Sequence, residues 1–291
     1  AATKNSTPGT YAITTSGVSS DNYDIEFLTG EAGGVLTITK GNAILSWVNP
    51  AAIVYGTRLS ASQLNAVAKT DAGISIFGSF NYSPQLGTLL AAGSHTLKVT
   101  FSPSSEAGYS GNQSEVSLTV QKAPLVITAN NAERYYKVDN PELGVTYTGF
   151  IAGEDAGVLS QKPTLKTTAD KSSSAGNYTI TASAAAAANY NISYKAGVLK
   201  VSAAPPVIDW GSPASIVYGT KLSATQLSAK ANVGGDLTYD PVQGTLLGVG
   251  AHTLTVRFIP ADPLNYRSAS TSRNVTVKKA PLEITVMDAV R

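Results

Sequence analysis

Apolar and polar residues alternate with a period of two along several short stretches of the chain. The stretches HTLKVTF (95–101), EVSLTVQ (115–121) and HTLTVRF (252–258) place an apolar residue at every second position. This pattern is typical of strands that have one buried and one solvent-facing side. Clusters of Gly, Pro, Asn and Asp separate the stretches at the roughly 8–12-residue spacing of β-sandwich turns. The pattern predicts an all-β chain without any substantial helix.

The buried sides of these strands need a second sheet to cover them. Two stretches carry the same residue types at their inward positions, namely Leu97, Val99, Phe101, Leu254, Val256 and Phe258. Sheets packed face to face about 10 Å apart bury such positions. Trp47 and Trp210 are the largest apolar side chains of the chain and are therefore assigned to the cores. The sequence predicts β-sandwiches rather than single sheets.

Long blocks of the sequence occur twice. WVNPAAIVYGTRLSASQLNA (47–66) returns as WGSPASIVYGTKLSATQLSA (210–229), and the block 82–109 returns as 239–266. The first block is displaced by 163 residues (47 to 210) and the second by 157 (82 to 239). The second copy therefore has six fewer residues between its blocks, which predicts a surface loop there, where changes of length are tolerated. We call these two copies the I modules.

A different repeat, the M module, lies between the I modules. GNYTITASAAAAANYNISYKAGVLKV (176–201) matches GTYAITTSGVSSDNYDIEF (9–27) followed by GVLTI (34–38). The run ASAAAAAN (182–189) is interpreted as a loop or one short turn, because its counterpart TSGVSSDN is not helix-forming. The sequence predicts five segments: the end of an M module (1–40), an I module (41–121), a complete M module (122–202), an I module (203–279) and the first strand of another M module (280–291). The incomplete modules favour a fragment of a longer array, with any export signal outside it.

Both modules resemble known bacterial families. The I modules resemble bacterial immunoglobulin-like repeats over nearly all of 47–121 and 210–279, through the IVYGT and GTLL…HTL…V-F-P motifs. The M module resembles the MBG ("mostly beta, glycine-rich") domain. The matching residues are Ala123, Pro124, Leu125, Asn140, Pro141, Gly176, Tyr178, Asn189, Tyr190 and Gly197. The resemblance implies tandem Ig-like and MBG β-sandwiches in an extended array, as in large exported or surface-attached bacterial proteins, often adhesin-like.

Composition narrows the classes of function. The net charge is +2 and 14% of residues are charged, which is far from the basic stripe that nucleic-acid binding needs. There are no cysteines, so disulfides and thiolate metal sites are excluded. The sequence has no run approaching the roughly 18 apolar residues of a membrane-spanning helix. We expect no nucleic-acid partner and no membrane insertion.

Few residues suggest chemistry. His95 and His252 occupy the same position in the two I modules, and each lacks a second ligand at metal-binding spacing. Glu154 and Asp155 are adjacent, so on a strand they point to opposite faces. The sequence leaves open a weak calcium site built from Asp139, Asn140, Glu142, Glu154 or Asp155. A lysine-to-asparagine isopeptide bond is also left open. No catalytic residues and no cofactor are predicted, so we expect a protein that is not an enzyme.

Tyrosines suggest the one candidate ligand surface. Of the fourteen tyrosines, ten recur in pairs between module copies, which favours a scaffolding role for them. Tyr135 and Tyr136 belong only to the complete M module and are flanked by Arg134 and Lys137. Arg134, Tyr135, Tyr136 and Lys137 therefore form the candidate ligand surface.

The leading hypothesis is a structural spacer or stalk at a bacterial cell surface or in a secreted protein. Short modules joined by stubs such as QKAPL (121–125) and SAAPP (202–206) would extend, and Pro in each stub limits bending. The expected partners are neighbouring repeats of the same polypeptide. The alternative is a binding module of the same adhesin, for a glycan or for a host or partner protein.

Overall fold

The computed structural model describes residues 2–3, 6–13, 17, 19–26, 34–104 and 108–285. Parts of the predicted segment 1–40 and the last six residues of the predicted segment 280–291 lie outside these residues. Within the described residues the elements are strands, apart from a 3-10 helix at Ala156–Val158. The prediction of an all-β chain is confirmed.

Residues 9–121 form a hairpin followed by a sandwich. The strands are β1 (Gly9–Ala12), β2 (Val35–Ile38), β3 (Gly41–Asn42), β4 (Ile44–Ser46), β5 (Ile53–Val54), β6 (Val67–Lys69), β7 (Gly78–Ser83), β8 (Gly93–Pro103), β9 (Tyr109–Ser110) and β10 (Asn112–Gln121). Strands β5-β10-β8-β7 form one sheet and β4-β6 another. Phe101 of β8 packs against Ala43 and Ala68, which lie next to β4 and on β6. This packing of one sheet on the other closes the core of the first I module.

The segment predicted as the M module contains seven strands. Its strands are β11 (Ala123–Ala129), β12 (Ala132–Tyr135), β13 (Val145–Thr148), β14 (Thr164–Thr167), β15 (Gly176–Ser183), β16 (Tyr190–Lys195) and β17 (Gly197–Ser202). They form two sheets, of order β13-β11-β16 and β12-β17-β15-β14. Each sheet contributes fully buried side chains, such as Leu125 and Ile127 from the first and Ile180 and Leu199 from the second. The run 182–189 continues β15 into a loop, as predicted, and has no helix.

Residues 208–278 repeat the sandwich of the first I module. The strands are β18 (Ile208–Asp209), β19 (Ile216–Val217), β20 (Lys230–Ala231), β21 (Gly235–Asp240), β22 (Gly250–Pro260) and β23 (Ala269–Lys278). The order β19-β23-β22-β21 repeats β5-β10-β8-β7 strand for strand, and β18-β20 repeats β4-β6. The sheet order therefore confirms what the sequence repeat predicts, that the two I modules share a fold.

The alternating positions lie where the sequence predicts. The six side chains at the predicted inward positions are each at most 1% exposed, namely Leu97, Val99, Phe101, Leu254, Val256 and Phe258. Trp210 is buried in its core and donates from its indole nitrogen to the Gln226 carbonyl over 3.0 Å. Trp47 makes the equivalent bond to the Gln63 carbonyl but is only partly buried. Both tryptophans contact their cores, and the second does so more completely.

The length difference between the I modules lies at the surface, as predicted. In the first copy, β6 is followed by a turn that is closed by a hydrogen bond from the Thr70 amide to the Ile74 carbonyl over 2.8 Å. The extra residues expose Ile74 and Phe77. In the second copy β20 passes through a shorter turn into β21. The insertion lengthens a loop and leaves the common sheet order intact.

In each module, an early strand pairs in parallel with the last strand. The pairs are β5 with β10, β12 with β17 and β19 with β23. The remaining pairs in these four-stranded sheets are antiparallel. A pull on the two ends of such a module loads the parallel pair along the strand axis, so its hydrogen bonds share the force.

Contacts divide the chain into two units, each containing one I module and part of the M module. Unit 1 comprises Ala1–Leu125, Gly149–Lys162 and Ala185–Ser193. Unit 2 comprises Val126–Thr148, Pro163–Ala184 and Tyr194–Arg291. Each unit thus contains contacts between an I module and M-module loops. The five-segment organisation stays a prediction beside this division.

Candidate functional site

In unit 1, a carboxylate joins two tyrosines from different modules. Tyr55 follows β5 of the I module, and its amide donates to the Gln121 carbonyl over 2.8 Å. Its hydroxyl donates to Glu154 Oε1 over 2.5 Å. The hydroxyl of Tyr190, at the start of β16, donates to Glu154 Oε2. We call this cluster of Tyr55, Glu154 and Tyr190 the Glu154 junction.

Packing around the Glu154 junction is close. The Tyr55 and Tyr190 rings meet edge to face, with centroids 5.7 Å apart. Gly56 has φ of 100°, and a Cβ there would lie 2.6 Å from Cδ1 of Ile151. The turn at Gly56 therefore also makes room for an M-module side chain. The Ala92 amide donates to Asn189 Oδ1 over 2.9 Å, which adds a polar contact to the same interface.

The junction raises the pKa of both tyrosines. Burial, followed by the hydrogen bond to Glu154, raises the pKa of Tyr190 to about 12. The hydrogen bond to Glu154, followed by burial, raises the pKa of Tyr55. In both cases the neighbouring carboxylate disfavours a second negative charge. The site keeps the two hydroxyls protonated so that both can donate.

This electrostatic arrangement predicts a late tyrosine ionisation coupled to unfolding. Because the pKa of Tyr190 rises from 10.0 to about 12 on folding, its contribution to stability is complete below pH 10 and is lost as pH rises to about 12. We expect the ultraviolet absorbance of tyrosinate to show two late ionisations that disappear in the Tyr55→Phe/Tyr190→Phe variant. The delayed ionisation of Tyr82, which burial causes, remains as an internal control. Identical titration curves for the two proteins would contradict the assignment.

In unit 2, Asn265 connects the M module to the second I module. Asn265 is 6% exposed, and its Oδ1 accepts from the Ala175 amide over 2.8 Å. Its Nδ2 donates to Asp262 Oδ2 over 2.8 Å, and its carbonyl accepts from the Ala204 amide over 2.8 Å. Beside it, the Tyr136 and Tyr266 rings meet edge to face at 5.5 Å. Asn265 thus connects a loop and a turn through its side chain and the linker through its main-chain carbonyl.

In unit 1, the residues at the two equivalent positions both differ from those in unit 2. Gly108 stands at the position equivalent to Asn265, and Pro8 stands at the position equivalent to Ala175. Pro8 has no N–H to donate, and Gly108 has no side chain to accept. The linker bond is kept, because the Gly41 amide donates to the Gly108 carbonyl over 3.1 Å. The pair of substitutions leaves no donor or acceptor unmatched at this contact.

We expect Asn265→Ala to lower the free energy of unfolding of unit 2 by about 1–3 kcal/mol, because the half-buried Ala175 amide loses the acceptor that the buried Asn265 side chain provides. Urea unfolding followed by Trp210 fluorescence, in a Trp47→Phe background, measures this loss. The matched control is Leu264→Ala, which removes the neighbouring side chain, 60% exposed, and no hydrogen bond. A cost below about 0.5 kcal/mol for Asn265→Ala would place this contact among ordinary surface positions.

The four residues of the predicted ligand surface have different surroundings. Arg134 is 7% exposed, and its guanidinium donates to Asn140 Oδ1 over 2.7 Å, to the Tyr135 carbonyl over 3.0 Å and to the Asp170 carbonyl. Tyr135 is 45% exposed, and the Arg267 guanidinium lies 5.1 Å from its ring centroid. Arg134 therefore organises the loops beneath, whereas Tyr135 faces solvent.

The other two residues lie beside the contact with the second I module. Tyr136 packs against Tyr266, and its amide donates to the Ser202 carbonyl over 2.9 Å. Lys137 has φ of 65°, and its Nζ lies 5.0 Å from the Tyr136 ring centroid. The ligand role of the four residues stays a prediction.

A surface pocket of about 360 Å³ includes two of the four residues. Its lining is formed by Glu133, Arg134, Tyr135, Val138, Asp139, Pro141, Ser202 and Arg267. Asp139 is paired with Lys171 over 3.0 Å at the exposed rim. An aromatic ring beside a guanidinium can stack a sugar or hold a carboxylate. The pocket suits binding rather than covalent chemistry.

Four of the five predicted calcium ligands, all except Glu142, are seen with other partners. Glu154 accepts from the two tyrosines, Asp155 accepts from the Gly157 amide, and Asp139 is paired with Lys171. The Asn140 side chain accepts from Arg134 and donates to the Ala169 carbonyl over 2.6 Å. Among residues 2–3, 6–13, 17, 19–26, 34–104 and 108–285, no group of three or more acidic or histidine side chains is placed to hold a metal ion.

The histidines repeat one local contact. His95 Nε2 lies 2.8 Å from the Ala91 carbonyl, and His252 Nε2 lies 2.7 Å from the Gly248 carbonyl. Each ring therefore closes the turn before its long strand.

In the described part of the chain, no helix has the length and apolarity to cross a membrane.

Comparison with known proteins supports one of the two resemblances. Residues 125–200 match the family model described as MBG domain (YGX type), which confirms that resemblance for the M module. No curated protein matches the sequence significantly. The resemblance of the I modules to bacterial immunoglobulin-like repeats stays a prediction.

Several solved structures are similar over most of the chain. Domains 1–6 of the surface layer protein SbsC are 14% identical, with 95% of this chain and 45% of that chain covered, at a TM-score of 0.23. Drosophila N-cadherin EC1–3 is 11% identical, with 81% and 100% covered, at a TM-score of 0.24. A Bacteroides ovatus mixed-linkage glucan utilization protein, SGBP-B, is 12% identical, with 83% and 69% covered, at a TM-score of 0.18. The chain spans less than half of the SbsC fragment.

Proposed function

We propose that this chain is a structural spacer segment of a bacterial cell-surface or secreted adhesin-like protein, and that it performs no catalysis. The Glu154 junction carries the proposal. Its hydroxyls and carboxylate come from two modules and satisfy one another, so the contact depends on both modules being present. Such a contact limits hinge motion between neighbouring modules, and a spacer needs this stiffness to hold its length.

The strand pairing supports a mechanical role. Early and last strands pair in parallel in all three modules described above. When the chain is pulled, these bonds resist in shear and several must break together. In the first I module the pair is extended by the bond from the Tyr55 amide to the Gln121 carbonyl. The strand that bears the pull therefore leads directly into the Glu154 junction.

The chemistry of the polar residues supports a non-catalytic role. Glu154, Asp155 and Arg134 make structural hydrogen bonds, and the two histidines contact backbone carbonyls. A catalytic acid or base needs access to a substrate proton. In this chain those groups are used to hold loops and turns together. The MBG match at 125–200 and the resemblance of the I modules support a place in an exported repeat protein.

A distance measurement between the first I module and the M-module loop of unit 1 tests the spacer proposal. The chain has no cysteine, so spin labels can be attached at Gln85→Cys and Lys162→Cys, which are exposed positions of the I module and of the M-module loop. We expect one narrow distribution of label-to-label distances in electron spin resonance. The same pair in a Glu154→Ala background is the matched control and should give a broader distribution. A broad distribution in the natural sequence would contradict a spacer.

A second candidate function is binding of a glycan at the pocket beside Tyr135. The half-exposed ring and the Arg267 guanidinium in one pocket favour this alternative. A glycan array with the full chain tests it. Selective binding that Tyr135→Ala abolishes and Tyr194→Ala preserves would support a binding module, since Tyr194 is 41% exposed outside the pocket. No selective signal would leave the spacer as the function.

A further inference from the structure

The second I module presents the same surface that the first module uses in the Glu154 junction. Tyr218, Gly219 and Val249 occupy the positions of Tyr55, Gly56 and Ala92 in the repeat. We call these three residues the Tyr218 surface. Its backbone is the same, because the Tyr218 amide donates to the Lys278 carbonyl over 2.8 Å and Gly219 has φ of 96°.

The two surfaces differ in what covers them. Tyr55 is 7% exposed and Tyr218 is 50% exposed. A Cβ on Gly56 would meet Ile151, whereas a Cβ on Gly219 would meet no atom within 4 Å. Since strand pairing, turn and glycine conformation agree, the difference comes from the M-module loops that cover only the first copy. The Tyr218 surface has the form of an interface whose partner is missing.

We propose that the Tyr218 surface binds an MBG module joined to the chain after Leu282. The module would supply the equivalents of Glu154, Ile151 and Asn189. The carboxylate would accept from the Tyr218 hydroxyl, and the branched side chain would pack on Gly219. The amide oxygen would accept from the Val249 N–H, as Asn189 does from Ala92. The inference rests on the proposed spacer function and states how the next module would pack against the second I module.

The linker supports this choice of partner. Residues 279–282 repeat the KAPL sequence of 122–125, which leads into the M module. Leu125 and Ile127 are fully buried in that module, whereas Leu282 is 84% exposed and Ile284 is 78% exposed. Leu282 and Ile284, which correspond to the buried Leu125 and Ile127, are thus apolar side chains exposed to solvent. An MBG module formed from this segment would bury them and bring its loops to the Tyr218 surface.

A second copy of the chain is a poor partner for this surface. Its Glu154 and Asn189 already bind Tyr55 and Ala92 within unit 1. Binding Tyr218 of another chain would require the Glu154 junction to open. The complementary loops are therefore supplied by a further module rather than by a dimer.

The test is a chain extended by one module, in which residues 1–282 are followed by a second copy of residues 126–202. We expect hydrogen exchange at residues 246–250 to slow about tenfold relative to the natural chain, because the Val249 amide gains an acceptor and a cover. The Tyr218→Phe substitution should leave exchange unchanged in the natural chain and should reverse most of this slowing in the extended chain. A control extension carries Glu154→Ala and Ile151→Asp in the added copy only.

The outcomes separate this inference from the spacer proposal. Slowing in the extended chain but not in the control extension supports docking at the Tyr218 surface. Equal exchange at 246–250 in all three chains overturns it, provided that the strand at 282–285 becomes protected and so shows that the added module has folded. Exchange at residues 89–93, which include the Ala92 amide that donates to Asn189 in the natural chain, reports on the Glu154 junction separately. Protection lost there would count against the spacer proposal instead.

Discussion

Replacing Glu154 with alanine is expected to lower the free energy of unfolding of unit 1 by about 2–4 kcal/mol. The substitution removes the acceptor of two tyrosine hydroxyls at once, and a hydrogen bond to a charged group contributes about 1.5–3 kcal/mol. Tyr190 is 3% exposed and Tyr55 is 7% exposed, so water replaces the carboxylate poorly. Both hydroxyls would be left as buried donors in the variant.

Urea unfolding followed by Trp47 fluorescence, in a Trp210→Phe background, measures this effect. The chain has two tryptophans, one in each unit, so each background reports on a single unit. Asp155→Ala is the matched control, since it removes the neighbouring carboxylate and only the cap of a three-residue 3-10 helix. We expect the control to cost about 1 kcal/mol or less. Equal costs for the two substitutions would show that the tyrosines do not depend on Glu154.

Replacing Arg134 with alanine is expected to destabilise unit 2 by about 3–4 kcal/mol. The guanidinium donates to three acceptors, two of them backbone carbonyls, while being 7% exposed. Arg134→Lys should recover less than half of the loss, because an ammonium group cannot reach the three acceptors from one planar fork. This result would distinguish a structural arginine from one kept for a ligand.

Trp210 fluorescence in a Trp47→Phe background provides the measurement for Arg134. Lys137→Ala is the matched control, because Lys137 is a cation three positions away that lies over an aromatic ring at the surface. We expect it to cost about 0.5–1 kcal/mol. A loss below about 1 kcal/mol for Arg134→Ala would mean that water satisfies Asn140 and the two carbonyls, and the loops beneath Tyr135 would not need the guanidinium.

The sequence predicts the sheets well because their signal is local. Alternation at Leu97, Val99 and Phe101 reports burial on one side of one strand, and the duplicated blocks report that the same sandwich occurs twice. The positive φ of Gly56 and Gly219 follows from their place in a repeated turn motif. These features need no knowledge of which module packs on which.

The junctions could not be predicted in the same way, because their partners are distant in sequence. Glu154 lies 99 residues from Tyr55, and its position beside Asp155 suggests only a solvated turn. A signal was present in the repeats, however. The coupled change from Ala175 and Asn265 to Pro8 and Gly108 removes a donor and an acceptor together. Comparing copies for paired polar changes would have indicated the second contact.

Arg134 shows the opposite difficulty. A basic residue next to two tyrosines predicts an exposed binding surface, but its long side chain turns inward to Asn140 and Asp170. Nothing in the local sequence indicates that two loops need a shared donor. Tyr135 remains 45% exposed although Arg267, from the second I module, lies against one side of its ring.

Whether the I and M modules are joined through the Glu154 junction is tested most directly by a double-mutant cycle of Tyr55→Phe and Glu154→Ala, measured as unfolding free energies of unit 1. The two residues bond directly across 99 residues of sequence, so we expect a coupling energy of about 1–2 kcal/mol. Additive effects, within about 0.5 kcal/mol, would contradict the account, because the modules would then be neighbours without a specific bond between them.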